Sequence, residues 1–347
     1  MQILESNKFK VLTSPDYNYV FNKENGFFVR FGKTIEEDPD FSSYGCELLD
    51  LEISAGRCSS GCFFCYKENG PNEPEINMTF AQFKEIFDKL PRTICQIALG
   101  ICDCHSNPDL FKIIRYARKK GVICNYTTNG LDVTPVVAEL TARFCGAVAV
   151  SIVNKEKSYD AIKLFSDAMR PNFTLKQINI HYVISTERIK SAMQIVDDVA
   201  NDPRLKKVNA IVWLQYKQKG KNPDILHSVT NVDIYKKLIE HCENKGVGYG
   251  FDSCSQYLFI ESIKDRKNSA QLETLSDPCE SLLYSLYINC KGIAYPCSFC
   301  EGAPGWEEGI PAFECNDFVE DIWNHPKFTN WRERLLKNNR RCPIYNI

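Results

Sequence analysis

Six times between residues 47 and 245, a short apolar run is followed by an amphipathic stretch. Parallel strands cannot be joined by a tight turn, and a helix is the usual crossover, so this alternation commits the chain to βα repeats. Strands are expected at residues 47–54, 93–100, 122–127, 147–153, 177–184 and 208–215, with helices near 79–90, 108–120, 135–144, 159–169 and 189–201. Thr79 is placed to cap the first helix and Gly121 to end the second. Six units fall short of the usual eight-stranded closed barrel, so the expected fold is α/β, a partial (β/α)6 barrel. Residues 1–48 read as a small β preface, with Asn25-Gly26 turning a hairpin between residues 17–21 and 27–31. After a polar loop at 217–223 and a helix near 232–245 comes a cysteine-bearing tail, so the expected division is 1–48, 49–251 and 252–347.

Seventeen cysteines, odd in number and clustered, argue for metal ligands plus core thiols rather than a disulfide framework. The tightest cluster comes after the first expected strand. Residues 57–66 read R-C-S-S-G-C-F-F-C-Y, placing Cys58, Cys62 and Cys65 on one loop with three and then two residues between them. An iron–sulfur cubane normally takes four thiolates, and a loop that gives three leaves one iron open to a chelating ligand. Gly61 lets the backbone turn tightly, and Phe63 and Phe64 shield the loop from water. Zinc would need a fourth ligand close by, for which Cys46 is the nearby candidate.

The remaining composition restricts the partners. With 42 basic and 44 acidic side chains the formal net charge is −2, which creates no long-range field for nucleic acid or an anionic membrane. The start lacks the basic-then-apolar pattern of a signal peptide, and no apolar run reaches about 18 residues. The expected location is the reducing cytoplasm.

The C-x-x-x-C-x-x-C loop after the first barrel strand, with Phe64 before its last cysteine, resembles that of the radical S-adenosylmethionine (SAM) superfamily. The resemblance covers residues from about 47 to 217 and implies a 4Fe–4S cluster bound by Cys58, Cys62, Cys65 and SAM, cleavage of SAM to a 5′-deoxyadenosyl radical, and hydrogen abstraction from a substrate. Gly100-Ile101-Cys102-Asp103 stands where the family has Gly-Gly-Glu-Pro, which makes Asp103 the implied acceptor for the SAM amino group. Pro108-Asp109-Leu110 also fits that pattern. Thr128 and Asn129, within a T-N-G stretch, Ser151 at the end of the fourth strand, and Leu214 and Tyr216 at the end of the sixth are the other implied SAM contacts. His181, on the fifth strand, is expected to be a core or rim histidine.

Twelve residues separate Cys279 from Gly292 and four separate Gly292 from Cys297, an arrangement similar to the opening of the SPASM and Twitch accessory domains. Asp321-Ile322-Trp323 and Arg341-Cys342-Pro343 extend that likeness, whereas the C-x2-C-x5-C-x3-C of a full SPASM domain does not occur. The resemblance therefore implies one auxiliary 4Fe–4S cluster, with Cys279, Cys297 and Cys342 as ligands and Cys300, Cys254, Cys315 or an open iron in the fourth place. Cys297-x-x-Cys300 by itself suits zinc equally well. Enzymes of this kind often modify peptides or proteins and take their electron from a donor such as flavodoxin or ferredoxin. The alternatives are a small-molecule or nucleotide-derived substrate, and an iron–sulfur or zinc-binding module without SAM chemistry.

Overall fold

The computed structural model describes residues 1–345. The chain opens as an antiparallel meander, β1 (Gln2–Glu5), β2 (Phe9–Thr13), β3 (Asn18–Asn22) and β4 (Phe28–Phe31), with the expected turn between the last two. Its inward aromatics, Tyr17, Tyr19 and Phe21, are at most 1 % exposed. Polar anchors fix this meander to the barrel and the tail: Tyr19 donates to the Thr93 carbonyl at 2.9 Å, and the Arg30 guanidinium meets Glu47 at 2.6 Å and Glu280 at 3.2 Å. Arg30 thereby ties the preface to the first barrel strand and to the tail in one ion-pair cluster, closed by the Tyr17 hydroxyl on Glu47.

After β5 (Leu48–Glu52), a two-stranded hairpin of β6 (Ser54–Gly56) and β7 (Glu75–Asn77) carries the cysteine loop between its arms. The repeats then run α1 (Phe80–Lys89), β8 (Gln96–Gly100), α2 (Leu110–Lys119), β9 (Ile123–Thr128), α3 (Pro135–Phe144), β10 (Ala147–Ser151), α4 (Lys155–Ala168), β11 (Gln177–Ile184), α5 (Ile189–Asn201), β12 (Val208–Gln215), α6 (Val232–Lys245) and β13 (Tyr249–Phe251). Thr79 caps α1 as expected, in a reciprocal capping box with Gln82. Helix α4 starts four residues earlier than its apolar pattern suggests, because Asn154 accepts from the Lys157 amide and nucleates a polar first turn.

The strands pair in parallel in the order β13-β12-β11-β10-β9-β8-β5, so the six expected strands are sequential neighbours and a seventh is added at the far edge. One face of this sheet, with Ile97, Leu99, Tyr126, Val148, Val150, Ile180 and Trp213, packs under the helices in a core that also holds Phe83, Ile113 and Ile162. Each such fully buried side chain stabilises the fold by about 1.5–3 kcal/mol relative to exposure. The alternate residues, Asp50, Ala98, Thr127, Ser151, His181 and Val212, point to the opposite face and stay partly accessible. That face is the lumen of an open barrel.

The tail comprises α7 (Gln256–Ile263), α8 (Ser269–Glu273), β14 (Ser285–Ile288), β15 (Ile293–Tyr295), β16 (Ile310–Pro311) and α9 (Pro326–Lys337). Strand β14 pairs in parallel with β5, from Ser285 opposite Leu48 to Ile288 opposite Leu51, and β15 and β16 are added antiparallel, so the barrel sheet continues into the tail as ten strands. No helix among the described residues is long and apolar enough to cross a membrane.

Candidate active site

Cys58, Cys62 and Cys65 lie on the loop between β6 and β7, at the carboxyl end of β5, where barrel strands present their chemistry. Cys58 is buried and the other two are half-buried. Gly61 holds φ +56° in the middle of the turn, a conformation that favours glycine. Ser60 sits between two of the thiols, its Oγ 3.0 Å from Cys58 Sγ and 3.4 Å from Cys62 Sγ. The neighbouring Cys102 thiol and, more weakly, the Ser60 hydroxyl outweigh burial and bring the Cys58 thiol down to about 6, which favours the thiolate. Burial pushes Cys62 and Cys65 up instead.

Asp103 comes just after β8 and grips this loop. Its Oδ2 accepts the Ser59 amide at 2.9 Å, and its Oδ1 accepts the Ser59 hydroxyl at 2.6 Å and the Asn129 side-chain amide. Asn129 also reaches Cys58, with Nδ2 3.7 Å from Sγ. Asp103, Asn129 and the three cysteines are thus one cluster, assembled from the ends of three barrel segments.

The other expected contacts divide. Ser151 and Leu214 stand on the lumen face. Thr128 turns toward the helices, where its hydroxyl accepts from the Cys104 thiol at 3.3 Å and from the Gly130 amide at 3.1 Å; it orders the turn that aims Asn129. Tyr216 is 2 % exposed, lies 6.4 Å from the Phe63 ring in a stacked arrangement and donates to the Asn222 carbonyl at 2.6 Å, so it braces the outer side of the cysteine loop. The Phe64 ring lies 4.4 Å from the Arg188 guanidinium. Inside the lumen, burial lifts the Asp50 carboxyl to about 6 and lowers the His181 imidazole to about 4, so both favour their neutral forms relative to water.

Two features of the site carry no motif. Arg188, just past β11, donates to the Val183 and Ile152 carbonyls at 3.1 Å each and brings a positive charge to the mouth of the lumen, near Cys62. The polar loop after β12 presses on the cysteine loop: Lys221 donates its amide to the Cys65 carbonyl at 3.2 Å and Asn222 its side chain to the Phe63 carbonyl at 2.6 Å. Gly220 makes that approach feasible, since a Cβ there would lie 2.3 Å from the Cys65 carbonyl oxygen. Apart from its glycine, nothing in this stretch's composition distinguishes it from a solvated connector.

In the tail, Cys279, Cys297, Cys300 and Cys342 line one cavity of about 260 Å³, joined by Cys254 from the turn before α7. Cys297 Sγ and Cys300 Sγ are 3.5 Å apart. Cys315 points elsewhere and donates to the Ala312 carbonyl at 3.1 Å, while Cys46 is wholly buried in the barrel core. Among the described residues no three His, Cys, Asp or Glu side chains form a site for a single metal ion.

No family model matches the chain. A stretch of 97 residues is 28% identical to mycofactocin maturase MftC of Mycobacterium ulcerans (strain Agy99); it covers 27% of this chain and 26% of that protein, so the chain spans about a quarter of this curated relative's length. Among solved structures, Streptococcus suis SuiB bound to its precursor peptide SuiA aligns with a TM-score of 0.70 at 13% identity, over 95% of this chain and 90% of that one. SuiB bound to S-adenosylmethionine aligns equally well, with a TM-score of 0.70 at 12% identity and the same coverage. Native anSMEcpe with bound AdoMet and the Cp18Cys peptide aligns with a TM-score of 0.57 at 13% identity, over 82% of each chain. Across nearly its whole length, then, this chain has the fold of SuiB, an α/β fold built on a mostly parallel, partial barrel sheet.

Proposed function

We propose that this chain is a radical SAM enzyme that modifies a peptide. The observation that carries the reading is the loop of Cys58, Cys62 and Cys65, clasped by Asp103 and Asn129 at the mouth of an open parallel barrel. The donor set fits a cubane with one open iron: three thiols converge on one loop, one of them already inclined to ionise. When bound there with SAM, the cluster supplies the electron that splits SAM into methionine and a 5′-deoxyadenosyl radical. A donor such as flavodoxin or ferredoxin delivers that electron.

The residues around the loop divide the work of holding SAM. Of the roughly four lone-pair positions of the Asp103 carboxylate, three are taken by Ser59 and Asn129, and the one left on Oδ2 accepts from the SAM ammonium. Arg188 spends two of its five donors on carbonyls and offers the rest to the SAM carboxylate. Ser151 and Leu214 furnish a hydroxyl and an apolar wall on the lumen face, and Phe64 keeps water from the loop. Thr128 and Tyr216 hold the turn and the loop in place.

For the tail we propose an auxiliary 4Fe–4S cluster on Cys254, Cys279, Cys297 and Cys342. All four line the one cavity, and Cys300, which lines it too with its sulfur 3.5 Å from that of Cys297, is the alternative fourth ligand. A peptide substrate is supported by the likeness to SuiB and anSMEcpe, both of which were solved with peptides bound, and by the open barrel. Anaerobically reconstituted protein is expected to hold about eight irons and eight sulfides per chain, the content of two cubanes. With SAM and a reductant, a short peptide encoded beside this chain is expected to change mass. About one zinc with negligible iron contradicts the cofactor assignment, and an unchanged peptide contradicts the substrate class.

A further inference from the structure

Buried beside the thiol cavity is a lysine that the binding of SAM does not use. Lys217, two residues beyond β12, has a side chain only 3 % exposed and lines the same cavity as the five cysteines. Its Nζ donates to the Gln215 carbonyl at 2.8 Å and to Asp252 Oδ2 at 3.0 Å, and Cys254 lines the same cavity. The ammonium also lies 4.9 Å from the centre of the Phe299 ring, between Cys297 and Cys300 in sequence. Burying an ammonium is costly unless its partners are fixed, and these are. Asp252 is itself held by the Gln215 amide at 3.2 Å, the Ser255 amide at 3.0 Å and the Ser255 hydroxyl, so its charge is spread over rigid donors on the barrel side.

The pair is therefore an oriented dipole with its positive end toward the thiols. The Lys217 side chain lines the thiol cavity itself, whereas Asp252 is turned to the Gln215 and Ser255 amides. A cubane on four thiolates is already anionic, and one-electron reduction adds a further negative charge without making or breaking a bond. A fixed positive charge at this distance, in a site shielded from water, favours the reduced form.

We infer that Lys217 raises the reduction potential of the tail cluster, and so sets how readily that cluster accepts an electron. The inference rests on the auxiliary-cluster reading above. It makes Lys217 a tuning residue that acts through the cluster rather than a ligand, with Asp252 as the counterweight.

The test is a redox titration monitored by electron paramagnetic resonance on the full chain, with Cys58, Cys62 and Cys65 replaced by alanine so that only the tail signal remains. Lys217→Met is expected to shift the equilibrium at least tenfold toward the oxidised form, a fall of about 59 mV in midpoint for one electron. Lys217→Arg, which keeps the charge, is expected to stay near the parent value, and Asp252→Asn to move the midpoint the opposite way. Iron content equal to the parent's in each variant accompanies these shifts. An unchanged midpoint in iron-replete Lys217→Met overturns the inference. Should Lys217→Met lose its iron, an unmoved or lowered midpoint in Asp252→Asn overturns it instead. A parent protein with no iron in the tail removes the auxiliary-cluster reading first, and the inference with it.

Discussion

Replacing Cys58, Cys62 and Cys65 together by alanine is expected to abolish reductive formation of 5′-deoxyadenosine while iron bound by the tail remains. The three thiols sit on the β6–β7 loop, and the tail thiols line a separate cavity beyond the end of β12, so emptying one site leaves the donors of the other intact. The loop itself should survive the change. Its position depends on Asp103, Asn129, Lys221 and Asn222, which grip Ser59 and the carbonyls of Cys65 and Phe63 rather than the sulfurs alone. Product analysis with iron counting reads both effects, and a triple variant that still cleaves SAM at the parent rate removes the assignment of the loop.

The complementary change should separate the two halves of the chemistry. With Cys279, Cys297 and Cys342 replaced by alanine, substrate turnover is expected to be lost and bound iron to fall, while uncoupled 5′-deoxyadenosine formation persists. These thiols lie outside the repeats proposed to hold SAM, and the electron acceptor or substrate anchor proposed there would act after hydrogen abstraction. The tail has its own packing to hold it: Trp323 and Trp331 are at most 2 % exposed, and Arg332 donates to the Leu282 carbonyl at 2.7 Å and the Trp323 carbonyl at 3.0 Å. Circular dichroism matching the parent confirms that this packing is kept. A folded variant with undiminished iron and normal product yield shows these cysteines to be ordinary core thiols.

The barrel is legible in the sequence because its signal is local and periodic. Each barrel strand from β5 to β11 is a short apolar run with an amphipathic helix after it, and caps such as Thr79 mark the starts. Strand β13 gives no such signal, being three residues long, reading Tyr249-Gly250-Phe251 and sitting among further glycines. The pairing of β14 with β5 joins residues more than two hundred positions apart, and no nearby residue encodes such a partner. Within the site, the cysteine loop announces itself by spacing. Arg188 does not, because its place beside Cys62 exists only once β10 and β11 are paired. Lys217 and the loop after it look like a solvated basic segment until packing buries the lysine among thiols.

On the proposed function, this chain splits SAM with an electron passed through a cluster on the Cys58, Cys62 and Cys65 loop. The direct measurement is to incubate the anaerobically reconstituted, iron-replete protein with SAM and dithionite and to quantify the products by chromatography and mass spectrometry. 5′-Deoxyadenosine and methionine are expected in equal amounts, dependent on both reductant and iron. Iron-replete protein that leaves SAM intact under reducing conditions would rule out SAM cleavage by this loop.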